Sequence, residues 1–140
     1  MKVYIYPVFE SGRGYWSVML RDNKDNIKHI SGKNLGDFKK ELYLKALYQG
    51  LCALKFPVDI IIFTQLKEIE IKINEGILEE WKENGWRPNK GVKIDNAILW
   101  EKIKSKMDIH KSVKCRRCRY IQDKYFYQSY QKLQENKMRR

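Results

Sequence analysis

Two cysteines three residues apart are the first side chains in this sequence that could do chemistry. Cys115 and Cys118 enclose two arginines, and His110 lies five residues before Cys115. A structural zinc site uses four such ligands, but Cys52 falls in a predicted helix and His29 in a predicted strand. A redox pair is a second alternative, since arginines lower a thiol pKa, yet the pattern of an active-site helix is missing. We interpret the pair as ordinary thiols in a basic strand, and no metal site is predicted.

Basic residues dominate the end of the chain. Lysine and arginine total 29 against 17 acidic residues, a net charge of +12. Residues 1–100 hold 16 basic and 13 acidic side chains (+3), whereas residues 101–140 hold 13 and 4 (+9). Such a field favours a polyanion, because phosphate contacts release bound counterions. The 18 aromatic residues could stack on bases or sugars. The charge therefore predicts a nucleic-acid partner, with a merely solubilising surface as the alternative.

The length and composition predict one globular domain. The chain has 140 residues, of which 43% are hydrophobic, enough for a core. No apolar run reaches the roughly 18–20 residues that span a bilayer, and the N-terminus lacks the pattern of a signal peptide. Three cysteines cannot pair completely, which argues against a secreted disulfide scaffold. We expect a soluble, cytoplasmic or otherwise intracellular domain over residues 1–140, without membrane contact.

The hydrophobic pattern predicts a mixed α/β fold. Runs of β-branched and aromatic residues indicate strands, and apolar residues three or four positions apart indicate helices. The resulting order predicts a five-stranded sheet, three antiparallel strands followed by two parallel ones, with helices on both faces. The predicted strands cover 2–9, 14–21, 26–31, 58–64 and 111–119. The predicted helices cover 37–55, 67–84, 95–106 (capped by Asp95) and 120–135.

Two tryptophan-containing segments resemble a known family. Residues 79–86 read EEWKENGW and residues 92–100 read VKIDNAILW. Ribonuclease HI has a Trp-x-x-x-Gly-Trp element, a basic loop, and then Asn-x-x-Leu-Trp at the start of the next helix. A helix beginning near Glu41 and an apolar strand ending in Thr64 also match that family. The sequence therefore resembles a ribonuclease H-like domain, most clearly over residues 2–107, with a basic strand and helix following in 108–140.

The resemblance implies a metal-dependent nuclease site, but most of its carboxylates are missing. Ribonucleases H cut the RNA strand of an RNA–DNA hybrid with two Mg²⁺ ions held by four acidic side chains. Only Glu41 matches one of these positions. Residues 7–11 and 124–129 lack the expected aspartates, and Gln65 replaces a third. An amide oxygen carries no charge to offset a divalent cation. We therefore predict a degenerate, catalytically inactive domain, a pseudoenzyme without a cofactor.

Two other interpretations stay open. Glu10 and Asp123 could rebuild a site around Glu41, giving an active Mg- or Mn-dependent endoribonuclease; otherwise they are a turn residue and a helix cap. Glu68 and Glu70 are interpreted as a solvated helix face. Alternatively, the domain is a protein-interaction module of a larger nucleoprotein complex, whose basic tail docks on an acidic partner.

The favoured interpretation is a domain that binds nucleic acid without cutting it. The resemblance implies that the second tryptophan and the basic loop after it grip the DNA strand of a hybrid, while Trp81 is expected in the core. Such a groove suits an RNA–DNA hybrid or double-stranded RNA, recognised by shape and 2′-hydroxyls. The predicted nucleic-acid-binding residues are Lys39, Lys40, Trp86, Arg87, Lys90, Lys93, Asn96, Arg116, Arg117 and Arg119.

Overall fold

A mixed five-stranded sheet and four helices organise the chain. The computed structural model describes residues 1–10, 13–35, 39–87 and 94–118, with the backbone alone at 8–10, 13, 34–35 and 39. The strands are β1 (Lys2–Glu10), β2 (Arg13–Arg21), β3 (Ile27–Leu35), β4 (Asp59–Thr64) and β5 (Ser112–Arg117). The helices are α1 (Lys39–Cys52), α2 (Lys67–Asn74), α3 (Ile77–Glu83) and α4 (Ala97–Met107). None of these helices combines the length and the apolar character needed to cross a membrane.

The strand order is β3-β2-β1-β4-β5, which confirms the predicted fold class. β1, β2 and β3 form an antiparallel meander, whereas β4 runs parallel to both β1 and β5. The ladder between β1 and β4 ends where Tyr4 meets Phe63, close to the carboxyl end of β4. Carboxyl ends of neighbouring parallel strands are the usual position for a functional site in such sheets.

The main core lies on one face of the sheet, under the helices. α1 packs across β1 and β2, α4 packs against α1, and α2 covers β5. Gly50 allows the close approach of α1, because a Cβ atom there would lie 3.0 Å from a methyl carbon of Val18. Trp100 of α4 is fully buried in the same cluster. The first turn of α1 is thus fixed relative to the sheet by well-packed apolar side chains.

A second buried cluster occupies the opposite face. It consists of alternate residues of the central strands: Tyr4, Tyr6, Tyr15, Met19 and Phe63. The rings of Tyr4 and Phe63 stack, with centroids 4.6 Å apart. All four described helices contribute to the first cluster instead. The helix predicted over 120–135 lies outside the described residues.

The third strand is longer than predicted, since β3 ends at Leu35 and not at residue 31. Two helix predictions also need correction. The single helix predicted over 67–84 is two helices, because Gly76 adopts a left-handed backbone (φ +74°) between α2 and α3. Asp95 does not cap α4. The helix begins at Ala97 and its cap is Asn96, which has φ +57° and makes no side-chain capping bond. Asparagine tolerates the left-handed region better than most residues.

Candidate nucleic-acid interface

Glu41 and Gln65 correspond to two of the family's carboxylate positions. Glu41 lies at the start of α1, and Gln65 lies just after the end of β4. Glu41 lies half-buried in the first turn of α1, where a negative charge suits the helix dipole. Gln65 comes directly after β4 and is also half-buried. The buried Thr64 hydroxyl accepts a hydrogen bond from the Leu66 N–H at 3.2 Å. This bond fixes the turn that carries Gln65.

An ion pair brings the first turns of α1 and α2 together. Lys40 Nζ lies 2.7 Å from a carboxylate oxygen of Glu68. Lys40 directly precedes Glu41, and Glu68 is three residues after Gln65. Glu41 and Gln65 are therefore placed at the same end of the molecule, beside the carboxyl end of β4.

The donor atoms that the structure describes at this end do not fit a pair of divalent cations. Glu41 supplies a carboxylate and Gln65 only a neutral amide, while Glu68 is already paired with Lys40 and Lys72. Within the described ranges, no group of three or more histidine, cysteine or acidic side chains could hold a metal ion. Hard divalent cations require several charged oxygen ligands. Of the proposed substitutes, Glu10 ends β1 with only its backbone described, and Asp123 lies outside the described residues.

Lys72 links α2 to both tryptophan motifs. Its Nζ atom contacts Glu68 and lies 5.4 Å from the ring centroid of Trp81 and 5.6 Å from that of Trp100. The Lys72 side chain is only 13% exposed. A cation over aromatic faces is stabilised most when it is shielded from water. The position of Lys72 therefore couples the start of α2 to α3 and α4.

Trp86 and Arg87 lie at the turn that follows α3. Gly85 and Trp86 both have left-handed backbones, with φ +66° and +61°. The Trp86 N–H donates to the Trp81 carbonyl oxygen at 2.8 Å, and the two indole rings meet edge to face at 6.3 Å. Trp81 packs against the core, as expected, and Trp86 is half-buried there too. Arg87 is exposed, whereas Lys90 and Lys93 lie outside the described residues.

Asn96 lies where the segment between α3 and α4 ends. Ion pairs hold these two helices together. Asn96 is half-buried at the start of α4. Lys104 of α4, a buried lysine, contacts Glu79 of α3 at 2.7 Å and Asp108 at 2.8 Å. Lys82 of α3 contacts the same aspartate at 2.7 Å. Burial alone would lower the pKa of Lys104, but its two carboxylate partners outweigh burial and raise it.

The basic end of β5 lies beside β4. Arg117 is the ladder partner of Thr64, the last residue of β4, so its backbone lies near Gln65, which follows that strand. The Arg117 N–H donates to a carboxylate oxygen of Glu70 at 2.8 Å. Arg116 is exposed, and Arg119 lies outside the described residues. Lys39 is the first residue of α1, with its backbone alone described.

Cys115 and Cys118 are not brought together as a site. Cys115 is buried in the helix-covered core, whereas Cys118 packs against the cluster on the opposite face. Burial raises the pKa of the Cys115 thiol to about 12. Neither cysteine forms a disulfide within the described part of the chain. The predicted strand is confirmed as β5, and the geometry favours ordinary thiols over a shared zinc or redox centre.

The acidic face of α2 was not expected to make specific contacts. Glu68 is exposed, as expected, but it bridges two lysines, and the half-buried Glu70 accepts a hydrogen bond from the backbone of β5. The interpretation of a solvated face is therefore incomplete, because it does not include these contacts. The i,i+4 spacing of Glu68 and Lys72 is a local signal for one of these contacts. The others join residues distant in sequence, for which the single sequence offers no signal.

Comparison of the amino-acid sequence with those of known proteins identifies relatives of this chain. The ribonuclease H of Legionella pneumophila strain Corby is 33% identical over 114 residues, covering 79% of this chain and 78% of that protein. A ribonuclease H of Thermus thermophilus is 34% identical over 100 residues, covering 71% of this chain. The chain spans 60% of the length of that Thermus relative. No protein-family model matches the sequence.

Solved structures share the fold at low sequence identity. A foamy viral protease-reverse transcriptase in complex with dsDNA superposes with a TM-score of 0.73 and 11% identity, over 96% of this chain and 90% of that chain. The RNase H1 of Halobacterium salinarum gives a TM-score of 0.66 and 10% identity, over 93% and 91%. These likenesses establish the fold, and the Legionella relative establishes the kinship. The chain belongs to the ribonuclease H family.

Proposed function

We propose that this domain binds duplex nucleic acid that contains RNA, either an RNA–DNA hybrid or double-stranded RNA, and leaves the RNA uncut. The donor set at the carboxyl end of β4 carries the proposal: one carboxylate, Glu41, beside the neutral amide of Gln65. Two-metal cleavage needs cations that clamp the attacking and leaving oxygens. A single carboxylate does not supply the charge to hold them. Neither Mg²⁺ nor Mn²⁺ is therefore part of the proposed function.

Binding is supported by family membership and by the disposition of basic residues. One foamy viral neighbour with a TM-score of 0.70 was solved in complex with an RNA/DNA hybrid. In this chain, Lys40 lies at the start of α1, Arg87 follows α3, and Arg116 lies on β5. We take all three as candidate phosphate contacts; Lys40 and Arg116 lie near the carboxyl end of β4. Duplexes of A-like form would be recognised through backbone shape and 2′-hydroxyls.

Salt-dependent binding of a labelled duplex tests this function. Each lost phosphate contact should weaken binding and flatten the salt slope by about one. Two triple variants are compared: the loop variant Arg87→Ala/Lys90→Ala/Lys93→Ala and the strand variant Arg116→Ala/Arg117→Ala/Arg119→Ala. We expect the loop variant to lose at least as much affinity as the strand variant. We also expect an RNA–DNA hybrid or double-stranded RNA to bind more tightly than B-form DNA of equal length.

A different pattern would favour the interaction module. If the strand variant alone loses affinity and all polyanions bind alike, the basic end of the chain is a docking surface. The domain would then belong to a larger nucleoprotein complex through that surface, and the nucleic-acid groove implied by the family resemblance would have no role in binding. Cleavage that depends on Glu41 would instead support the endoribonuclease with a rebuilt site.

A further inference from the structure

Positive side chains outnumber carboxylates at the carboxyl end of β4. Lys40 and Lys72 share the carboxylate of Glu68, and Glu70 accepts a hydrogen bond from the backbone N–H of Arg117. The described ionisable side chains of this region carry five positive and three negative charges: Lys40, Lys67, Lys72, Arg116 and Arg117 against Glu41, Glu68 and Glu70. A cluster of unpaired carboxylates repels a phosphate until cations bind, whereas a region of net positive charge does not.

Lys72 is the anchor of this arrangement. Its ammonium lies against two tryptophan rings, one of which, Trp100, is fully buried. A cation at 13% exposure requires a counter-charge, since an unpaired charge away from water is costly. Glu68 provides that charge. Its carboxylate is therefore held at the start of α2 by a lysine that is largely shielded from solvent.

Lys40 is the more exposed of the two lysines that pair with Glu68. Its side chain is 32% exposed, and its ammonium has three donor hydrogens, one of which points to Glu68. Within the described part of the chain Glu68 is the one ion-pair partner of this ammonium, so further donors can meet an acceptor that approaches from solvent. Because Lys40 directly precedes Glu41 in α1, that acceptor would lie at the end of the molecule that carries Glu41 and Gln65.

We propose that Lys40, positioned by Glu68 and Lys72, contacts a backbone phosphate at the carboxyl end of β4 and makes duplex binding there independent of divalent cations. This inference rests on the proposed function, because it names which residues bind the phosphate and which position them. Lys40 makes the contact. Glu68 and Lys72 are positioning residues.

The test measures binding of a fluorescent RNA–DNA hybrid in EDTA and in Mg²⁺ at matched ionic strength. The wild-type protein should bind about equally in both. Lys40→Ala should weaken binding about five- to tenfold and flatten the salt slope by about one, as expected for one lost phosphate contact. Lys55→Ala is the matched control, because Lys55 is an exposed lysine beyond the opposite end of α1. Lys40→Arg, which keeps the charge, should retain most of the affinity.

A second pair of variants tests the positioning role. Glu68→Gln and Glu75→Gln each remove one negative charge from α2 or its cap, and Glu75 is exposed. Loss of a negative charge alone should strengthen binding to a polyanion. If Glu68 positions Lys40, Glu68→Gln should bind less tightly than Glu75→Gln, although the two proteins carry the same net charge.

The results separate this inference from the proposed function. Binding that disappears in EDTA, or a Lys40→Ala variant no weaker than Lys55→Ala, would overturn the inference and leave duplex binding standing. A wild-type protein that binds no hybrid under any of these conditions would overturn both. Should Glu68→Gln fail to fold, the comparison of the two lysine variants still decides.

Discussion

The side-chain amide of Asn74 completes the outer edge of β5 by pairing with the backbone of Cys115. Its Nδ2 donates to the Cys115 carbonyl oxygen at 2.7 Å, and its Oδ1 accepts from the Cys115 N–H at 2.9 Å. Within the described sheet, one asparagine thus replaces the neighbouring strand that β5 lacks on this side. Unpaired edges invite pairing with other chains, so α2 both covers and protects the strand next to the candidate site.

Replacing Asn74 should therefore destabilise the fold. Asn74→Ala leaves a donor and an acceptor of β5 without protein partners, and we expect the free energy of unfolding to fall by about 1–2 kcal/mol. Urea denaturation measures this change. Asn23→Ala, in the exposed turn between β2 and β3, serves as the control and should change stability by less than about 0.5 kcal/mol. Equal losses in the two variants would refute the edge-pairing role.

The ion pairs between α3 and α4 should give the protein an acid-sensitive component of stability. Lys104 is the main cause of the lowered pKa of Glu79, and with Lys82 it outweighs burial to lower that of Asp108. Since the unfolded carboxyls bind protons more readily, this stabilisation is complete only above about pH 5 and is lost as the pH falls through the lower folded pKa.

Lys104→Met removes the charge while keeping most of the packing. We expect it to lower stability by about 1 kcal/mol at pH 7, with the difference from wild type shrinking below about pH 5. Thermal unfolding at several pH values measures this. Lys102→Met, an exposed lysine of the same helix, should show no such pH dependence. A deficit in Lys104→Met that stays constant down to pH 3 would argue against the ion pairs.

His110 should produce a separate pH dependence nearer neutrality. Its buried ring accepts a hydrogen bond from the Val58 N–H at 3.3 Å. Burial lowers the pKa of His110, against a smaller opposing effect of the Phe56 backbone. The unfolded chain therefore binds this proton first, and stability falls as the pH drops below about 6.5. His110→Gln should flatten the pH dependence of the melting temperature between pH 7 and 5.

The thiols should differ in reactivity according to the face they occupy. Cys115 is buried with a pKa of about 12, while Cys118 is half-buried on the other face. The thiolate is the reactive form, so a thiol reagent should modify Cys118 in the native protein well before Cys115.

We also expect no stoichiometric zinc in the purified protein. Elemental analysis that finds one zinc per chain, absent from a Cys115→Ser/Cys118→Ser variant, would show that the two cysteines do share a metal.

Local patterns in the sequence predict most of the sheet but not the contacts at its functional end. The alternation in β1 and β2 and the apolar run of β4 follow from which side chains must be buried. Gly76 divides a helix whose apolar spacing otherwise continues, so periodicity alone extends the helix too far. The contact between Lys40 and Glu68 depends on how α1 and α2 pack, which no local pattern encodes.

The most direct test of the central claim is incubation of the purified protein with a labelled RNA–DNA hybrid in Mg²⁺ while binding and RNA integrity are followed together. We predict that the hybrid is bound and that its RNA strand stays intact, because Glu41 and Gln65 cannot hold two cations. Cleavage by the wild-type protein, absent from a Glu41→Gln variant prepared in the same way from cells lacking host ribonuclease H, would contradict that prediction.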